Sequence, residues 1–150
     1  MDEQRAGRGI RITLMVATGF VAVTALAGGV ALVVGSLAPD LATVLSPPAE
    51  YLEGSPFGSY LVPGLVLGLV LGGVHVVAFV LLARRHPRAL LAAVVAGYAA
   101  VIWIVVQMTI IPFSPLQAVY VVMGLVEIGL VLLALGVLRP DRAGRVTPAR

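Results

Sequence analysis

The sequence predicts an all-α polytopic membrane protein: an antiparallel four-transmembrane-helix bundle with both termini cytoplasmic. Three observations carry this expectation. The chain is 60% hydrophobic and only 11% charged, with a mean hydropathy of +1.07, far from the composition of water-soluble domains. Four apolar stretches, at about 12–34, 60–83, 89–111 and 118–138, each reach the roughly 20 residues a helix needs to cross about 30 Å of hydrocarbon. The basic residues are all arginines, and they cluster at alternate ends of those stretches.

Arg5, Arg8 and Arg11 precede the first stretch, Arg84, Arg85 and Arg88 lie between the second and third, and Arg139, Arg142, Arg145 and Arg150 follow the fourth. The other two connections carry no basic residue, and the first of them holds Asp40, Glu50 and Glu53. Under the positive-inside rule the termini and the 84–88 turn face the cytoplasm, which gives a multi-pass protein with both termini inside. Arg84, Arg85, Arg88 and Arg139 are then placed to meet anionic lipid headgroups. Arginines confined to helix ends make no nucleic-acid surface, so the expected partners are the lipid bilayer and either further copies of the chain or a larger membrane protein.

The 12–34 stretch is too long for the roughly 7–15-residue apolar core of a cleavable leader and is expected to remain as the first span. Segment 35–59 is the one connection with room for structure of its own. Within it PDLATVL predicts one or two helical turns at the interface, stopped by Pro47 and Pro48. Tyr51, Phe57 and Tyr60 are expected at headgroup depth. The connections ARRHPR and PFSPLQ are so short that consecutive helices must be antiparallel neighbours, forming a single membrane domain over 1–150 with a cytoplasmic tail at 139–150.

A faint repeat sets SPFGSYLVPGLV (55–66) against SPLQAVYVVMGLV (114–126), and TGFVAV (18–23) against AGYAAV (96–101). It suggests a duplicated helical hairpin with both halves in the same orientation.

Each span carries its unusual residues at spacings of three and four, on one face of a helix. The first span offers Thr18, Ala22, Ala25 and Gly29, and the second Gly64, Gly68, Gly72 and His75. The third offers Ala96, Ala100, Trp103 and Gln107, and the fourth Tyr120, Gly124, Glu127 and Ala134. Small residues let membrane helices approach closely, so Gly64, Gly68, Gly72 and Gly124 are expected at helix crossings.

Glu127 is the anomaly, a carboxyl group in the middle of YVVMGLVEIGLVLLALG. An acidic residue near the bilayer midplane costs about 2.5–3.5 kcal/mol on insertion scales, so it must face protein or a water-filled cavity and is expected neutral at rest. At about 1.5 Å of rise per residue, Gln107 lies roughly 6 Å from the outer ends of the helices, Trp103 and Glu127 about 12–14 Å, and His75 with Tyr98 about 20–23 Å. This spacing predicts a polar ladder in which Glu127 pairs with Trp103, Gln107 or His75. Trp103 and Tyr98 are expected in the bundle core, with Tyr120 as a further supporting aromatic. His86, beside three arginines, is expected to be solvated.

The absence of cysteine excludes thiol chemistry and thiolate metal sites. A single histidine within the spans, His75, disfavours a bundle haem with two axial ligands. No cofactor is expected. No paired nucleophile and base, acid pair or metal cluster stands at usable spacing, which argues against an enzyme.

Small multidrug transporters are also four-helix proteins built around one intramembrane glutamate, but theirs lies in the first helix and this one in the fourth. The chain resembles instead a group of small bacterial four-span membrane proteins. The resemblance rests on SPFGSYLVPGLVLGLVLGG (55–73), RRHPRA (84–89), AGYAAVIWIVVQMTII (96–111) and SPLQAVYVVMGL (114–125), covers about residues 50–130, and implies a membrane address and fold without an activity.

Three functional expectations follow. The leading one is a non-enzymatic accessory or assembly protein that packs through its small-residue faces. The second is a small proton-coupled transporter or channel subunit using Glu127 and His75. The third is a lipid- or quinone-binding membrane protein.

Overall fold

A computed structural model describes residues 2–137, the first five of these by backbone alone. The tail 139–150, Arg139 and the last residue of the predicted fourth span lie outside the described residues. Every element among the described residues is helical: α1 (Asp2–Leu37), α2 (Pro39–Leu45), a 3₁₀ turn (Ala49–Leu52), α3 (Leu61–Ala83), α4 (Ala89–Met108) and α5 (Pro115–Ala134). Gly7–Leu37 of α1 and the whole of α3, α4 and α5 are long and apolar enough to cross a membrane. The protein is a multi-pass integral membrane protein.

The helix boundaries follow local chemistry and differ in places from the apolar runs. α1 extends past both ends of 12–34, because its helix persists through the polar first turns and stops only before Pro39. The steric restriction on the residue before proline shows in Ala38, at φ −121° and ψ 93°. PDLATVL forms the expected short helix. α4 stops at Met108, short of 111, where the chain tightens: Ile110 and Ile111 N–H both donate to Gln107 O ahead of Pro112.

α5 starts at Pro115, earlier than the expected 118, because Ser114-Pro-Leu-Gln117 is a capping box with proline at the first helical position. The Gln117 Oε1 atom accepts from Ser114 N–H at 2.9 Å.

α3 and α5 end the same way at the arginine-bearing face. His86 N–H donates to Leu81 O and Arg85 N–H to Leu82 O; Val137 and Gly136 N–H do the same with Leu132 and Leu133 O. Both are Schellman closures, which need a left-handed residue. Gly136 supplies it at φ 74°, whereas α3 uses Arg85 at φ 53°.

The four long helices run around a ring, α1 beside α3, α3 beside α4, α4 beside α5, and α5 beside α1. Across the ring α1 and α4 approach each other, while α3 and α5 nowhere come within 8 Å, Cα to Cα. Two glycine crossings fix this shape. A Cβ built on Gly29 of α1 would stand 2.6 Å from Gly68 Cα and 2.7 Å from Gly64 O of α3. Likewise one on Gly97 of α4 would stand 2.8 Å from Gly124 O of α5. The repeat alignment matches Gly64 with Gly124, and both are crossing points, but it matches Gly97 with Gly19 rather than Gly29.

Where α3 is drawn onto α1, its middle stretch Val66–Gly72 is π-helical. One face of that stretch, Gly68 and Gly72, packs on α1, where Gly72 lies against Leu26. Toward the opposite end of the bundle from the arginine turn, α3 leaves α4: Gly73–Ala83 packs along α4, the π-helical stretch touches it only slightly, and Leu61–Leu65 does not touch it.

Two apolar clusters fill the interior. Leu14, Leu82, Ala89, Ala93 and Val131 form one near the arginine turn, and Val21, Ala25, Leu71, Ala100, Ile104 and Tyr120 form the other. Between them lies a polar layer.

Candidate functional site

That layer holds Thr18, His75 and Glu127, each fully buried, among the small residues Ala22, Ala96, Gly97 and Gly124. The heptad-like spacing of 117, 120, 124, 127 and 131 puts Glu127 on the buried face of α5, and 64, 68, 71, 72, 75 and 78 put His75 on that of α3. These are the two helices whose backbones come nowhere within 8 Å of each other, Cα to Cα. Their side chains bridge the wide diagonal of the ring, with His75 Nε2 at 3.4 Å from Glu127 Oε2.

His75 Nδ1 lies 2.8 Å from Leu71 O, and a carbonyl can only accept, so Nδ1 carries a hydrogen. That leaves Nε2 to face the carboxyl group, an approach of 3.4 Å that falls short of a formed hydrogen bond: His75 Nε2 and both Glu127 oxygens have no hydrogen-bond partner among the described residues. Thr18 is self-contained, its hydroxyl donating to Leu14 O at 2.8 Å.

Of the three expected partners of Glu127, the structure therefore brings His75 to it and not Gln107 or Trp103. The ladder is broken. Gln107 and Trp103 are half-buried and face a pocket on the far side of Leu71 from His75. Tyr98 corrects the expectation of a core aromatic: it is 54% exposed. Its neighbour Gly97 points at α5, and the next position is rotated by about 100° to the lipid-facing side. Tyr120 is buried in the core as a supporting aromatic. Gly64, Gly68, Gly72 and Gly124 are all buried. Ala134 is exposed, and Val131 takes the corresponding core position. Arg84, Arg85 and Arg88 are exposed at the turn, as is His86, whose Nδ1 accepts from Arg88 N–H at 3.2 Å.

The pocket is the feature the sequence did not announce. It has a volume of about 690 Å³ and occupies the gap left where α3 leaves α4. Val66, Leu67, Val70 and Leu71, all from the π-helical stretch, form one wall; Ala99, Ile102, Trp103 and Val106 of α4 form another. Gly28, Ala31 and Leu32 of α1 form the back, and Leu45, Pro47, Leu52 and Phe57 of the 38–60 segment roof it. Gln107 and Tyr60 add polar atoms to an otherwise almost wholly apolar lining. Ile102, Val106 and Val70 are 60%, 48% and 53% exposed, so the pocket opens sideways between α3 and α4.

The roof revises the reading of the external aromatics. Phe57 lies in the pocket wall, and Tyr60 is 5% exposed instead of lying out among headgroups. Its hydroxyl donates to Pro48 O at 2.9 Å and ties the 3₁₀ segment to the start of α3. Burial, helped by nearby Tyr51, pushes the Tyr60 phenol above its usual range.

Among the described residues no group of three His, Cys, Asp or Glu side chains is placed to hold a metal ion. Comparison of the chain with models of protein families, with curated proteins and with solved structures finds no match.

Proposed function

We propose that the protein is a non-enzymatic lipid-binding membrane protein that holds an apolar chain between α3 and α4. The observation that carries this reading is the sideways-opening pocket. Its volume falls within the roughly 300–1,000 Å³ of small-molecule sites, and its lining is apolar with a few polar groups, as such sites are. The medium at its mouth is hydrocarbon, so the molecule at hand to fill it is a lipid chain. Arginine placement supports both termini inside, and with that orientation the pocket lies in the outer leaflet. The resemblance to small bacterial four-span proteins supports a bacterial cytoplasmic membrane as the address.

The accessory reading loses its main support. It relied on small-residue faces for binding a second chain, and Gly29, Gly64, Gly68, Gly97 and Gly124 are consumed in crossings within the bundle. The exposed faces are the branched apolar side chains that suit lipid. The transporter reading needs a polar route to Glu127. The pair is sealed between two apolar clusters, with Leu71 between it and the pocket, which favours a structural bridge.

Native mass spectrometry after gentle extraction tests the proposal. Wild type is expected to retain one lipid, and Ala99→Phe, which fills the pocket from α4, to lose it while keeping its melting temperature within about 3 °C, the effect of roughly 1 kcal/mol in a domain of this size. Equal lipid retention by both proteins would remove the pocket as the site.

A further inference from the structure

A second hollow adjoins the first. It has a volume of about 470 Å³ and lies outside the bundle proper, between the end of α1 and the 38–60 segment. The two share Pro47, Leu52 and Tyr60 as wall residues, so Tyr60 stands at the junction of an apolar chamber and a more polar one.

The second chamber is lined with hydroxyls. Ser36, Thr43, Ser46 and Ser59 are among its lining residues; Ser36 Oγ donates to Leu32 O at 2.7 Å and Ser59 Oγ accepts from Leu61 N–H at 3.4 Å, while Ser46 Oγ is buried with no hydrogen-bond partner among the described residues. It sits against Gly35, where a Cβ would collide with it. Charge decides what can sit there. Residues 35–60 and 109–114 contain no lysine or arginine, and the first segment carries Asp40, Glu50 and Glu53, all exposed. A phosphate headgroup calls for cationic donors, and the chamber lining has none. Serine and threonine hydroxyls both donate and accept, which matches a head made of hydroxyls.

Resting on the reading above that the apolar pocket holds a chain, we infer that the ligand is a neutral lipid with a hydroxylated head, of the acylglycerol or glycosylated acylglycerol class. Its chain lies between α3 and α4, its glycerol passes Tyr60, and its head lies among the hydroxyls of the 36–59 chamber.

The test uses the full chain in nanodiscs of phosphatidylcholine doped equally with diacylglycerol, galactosyl diacylglycerol and phosphatidylglycerol of matched chains, followed by native mass spectrometry of the extracted protein. Wild type is expected to carry one neutral doped lipid, enriched over phosphatidylglycerol about fivefold or more, the ratio given by roughly 1 kcal/mol. The double variant Ser46→Ala with Ser59→Ala is expected to keep a lipid but fall toward parity among heads. Thr43→Arg, at an exposed position, is expected to move the preference toward phosphatidylglycerol without requiring repacking. Retention by wild type with no head preference, or with a preference for phosphatidylglycerol, overturns this inference and leaves the pocket reading standing. Retention of phosphatidylcholine alone likewise overturns only this inference, whereas failure of wild type to retain any lipid, phosphatidylcholine included, overturns both.

Discussion

Glu127 and His75 answer at the level of single atoms why a membrane-length helix carries a carboxyl group. The acid reaches across the one diagonal that backbone packing leaves open, and the imidazole meets it with a nitrogen whose twin is anchored to Leu71 O. Because Nδ1 carries its hydrogen, Nε2 is free to accept, and an amide in place of the acid can still donate to it. Glu127→Gln is therefore expected to fold with near wild-type stability. Glu127→Leu or His75→Leu each leaves a buried polar group unpaired and is expected to cost about 1–3 kcal/mol. The double Leu variant should cost less than the sum, by roughly 0.6–2 kcal/mol of coupling, in a double-mutant cycle of thermal or denaturant unfolding in detergent. Additive losses would mean that the two side chains do not interact. At Tyr60 the sign runs with the proton: the folded phenol titrates above its usual value, so its contribution is present below about pH 10 and is lost as pH rises through the folded value. Tyr60→Phe should lose the bond to Pro48 yet show a shallower fall in melting temperature between neutral and strongly alkaline pH.

The helices pack through glycines that look alike in sequence and differ in consequence. Gly29→Ala would drive a methyl into the backbone of α3 and force α1 and α3 apart, with an expected cost of about 1–3 kcal/mol. Gly68→Ala, in the same crossing, meets only Gly29 Cα at 3.6 Å and is expected to stay within roughly 0.5 kcal/mol of wild type. Gly73→Ala points into open space. Thermal unfolding of the three variants checks the order. Arg85→Gly relieves a left-handed arginine at the end of α3, whose cost is about 1–2 kcal/mol, and should raise the melting temperature. The stripe 64, 68, 72 was legible as a packing face because period and residue size suffice to define one. Which of its members touches backbone was not, since that depends on the height at which Gly29 crosses. The capping box at Ser114 to Gln117 was legible and sets the start of α5; reading PFSPLQ only as a loop misplaced that start by three residues, 115 against 118. The π-helical stretch 66–72 leaves no mark on composition, because it arises from how α3 accommodates α1.

The whole molecule was the most legible scale and the pocket the least. Four spans and their antiparallel order follow from apolar length and short connections, and the structure has them. The polar ladder failed because depth alone does not place side chains on the same side of a ring: Gln107 and Trp103 share a helix face with Ala96 and Ala100 yet open onto the gap, and Tyr98 faces lipid. The gap itself is a product of two crossings, Gly29 with Gly64 and Gly68, and Gly97 with Gly124, which pull α3 and α4 toward different neighbours. Its roof comes from a segment whose helical turns were expected, while its fold over the bundle mouth depends on the tie from Tyr60 to Pro48.

The central claim is that an apolar chain lies in this gap, and photocrosslinking tests it most directly. The full-length protein would be reconstituted with a trace of diacylglycerol bearing a diazirine at mid-chain, irradiated, digested and mapped by mass spectrometry. Adducts concentrated on Val66, Val70, Ile102 and Val106, and suppressed by Ala99→Phe, are the predicted result. Adducts spread evenly over the lipid-facing residues Val16, Phe20, Leu91 and Val122, unaffected by that substitution, would contradict it.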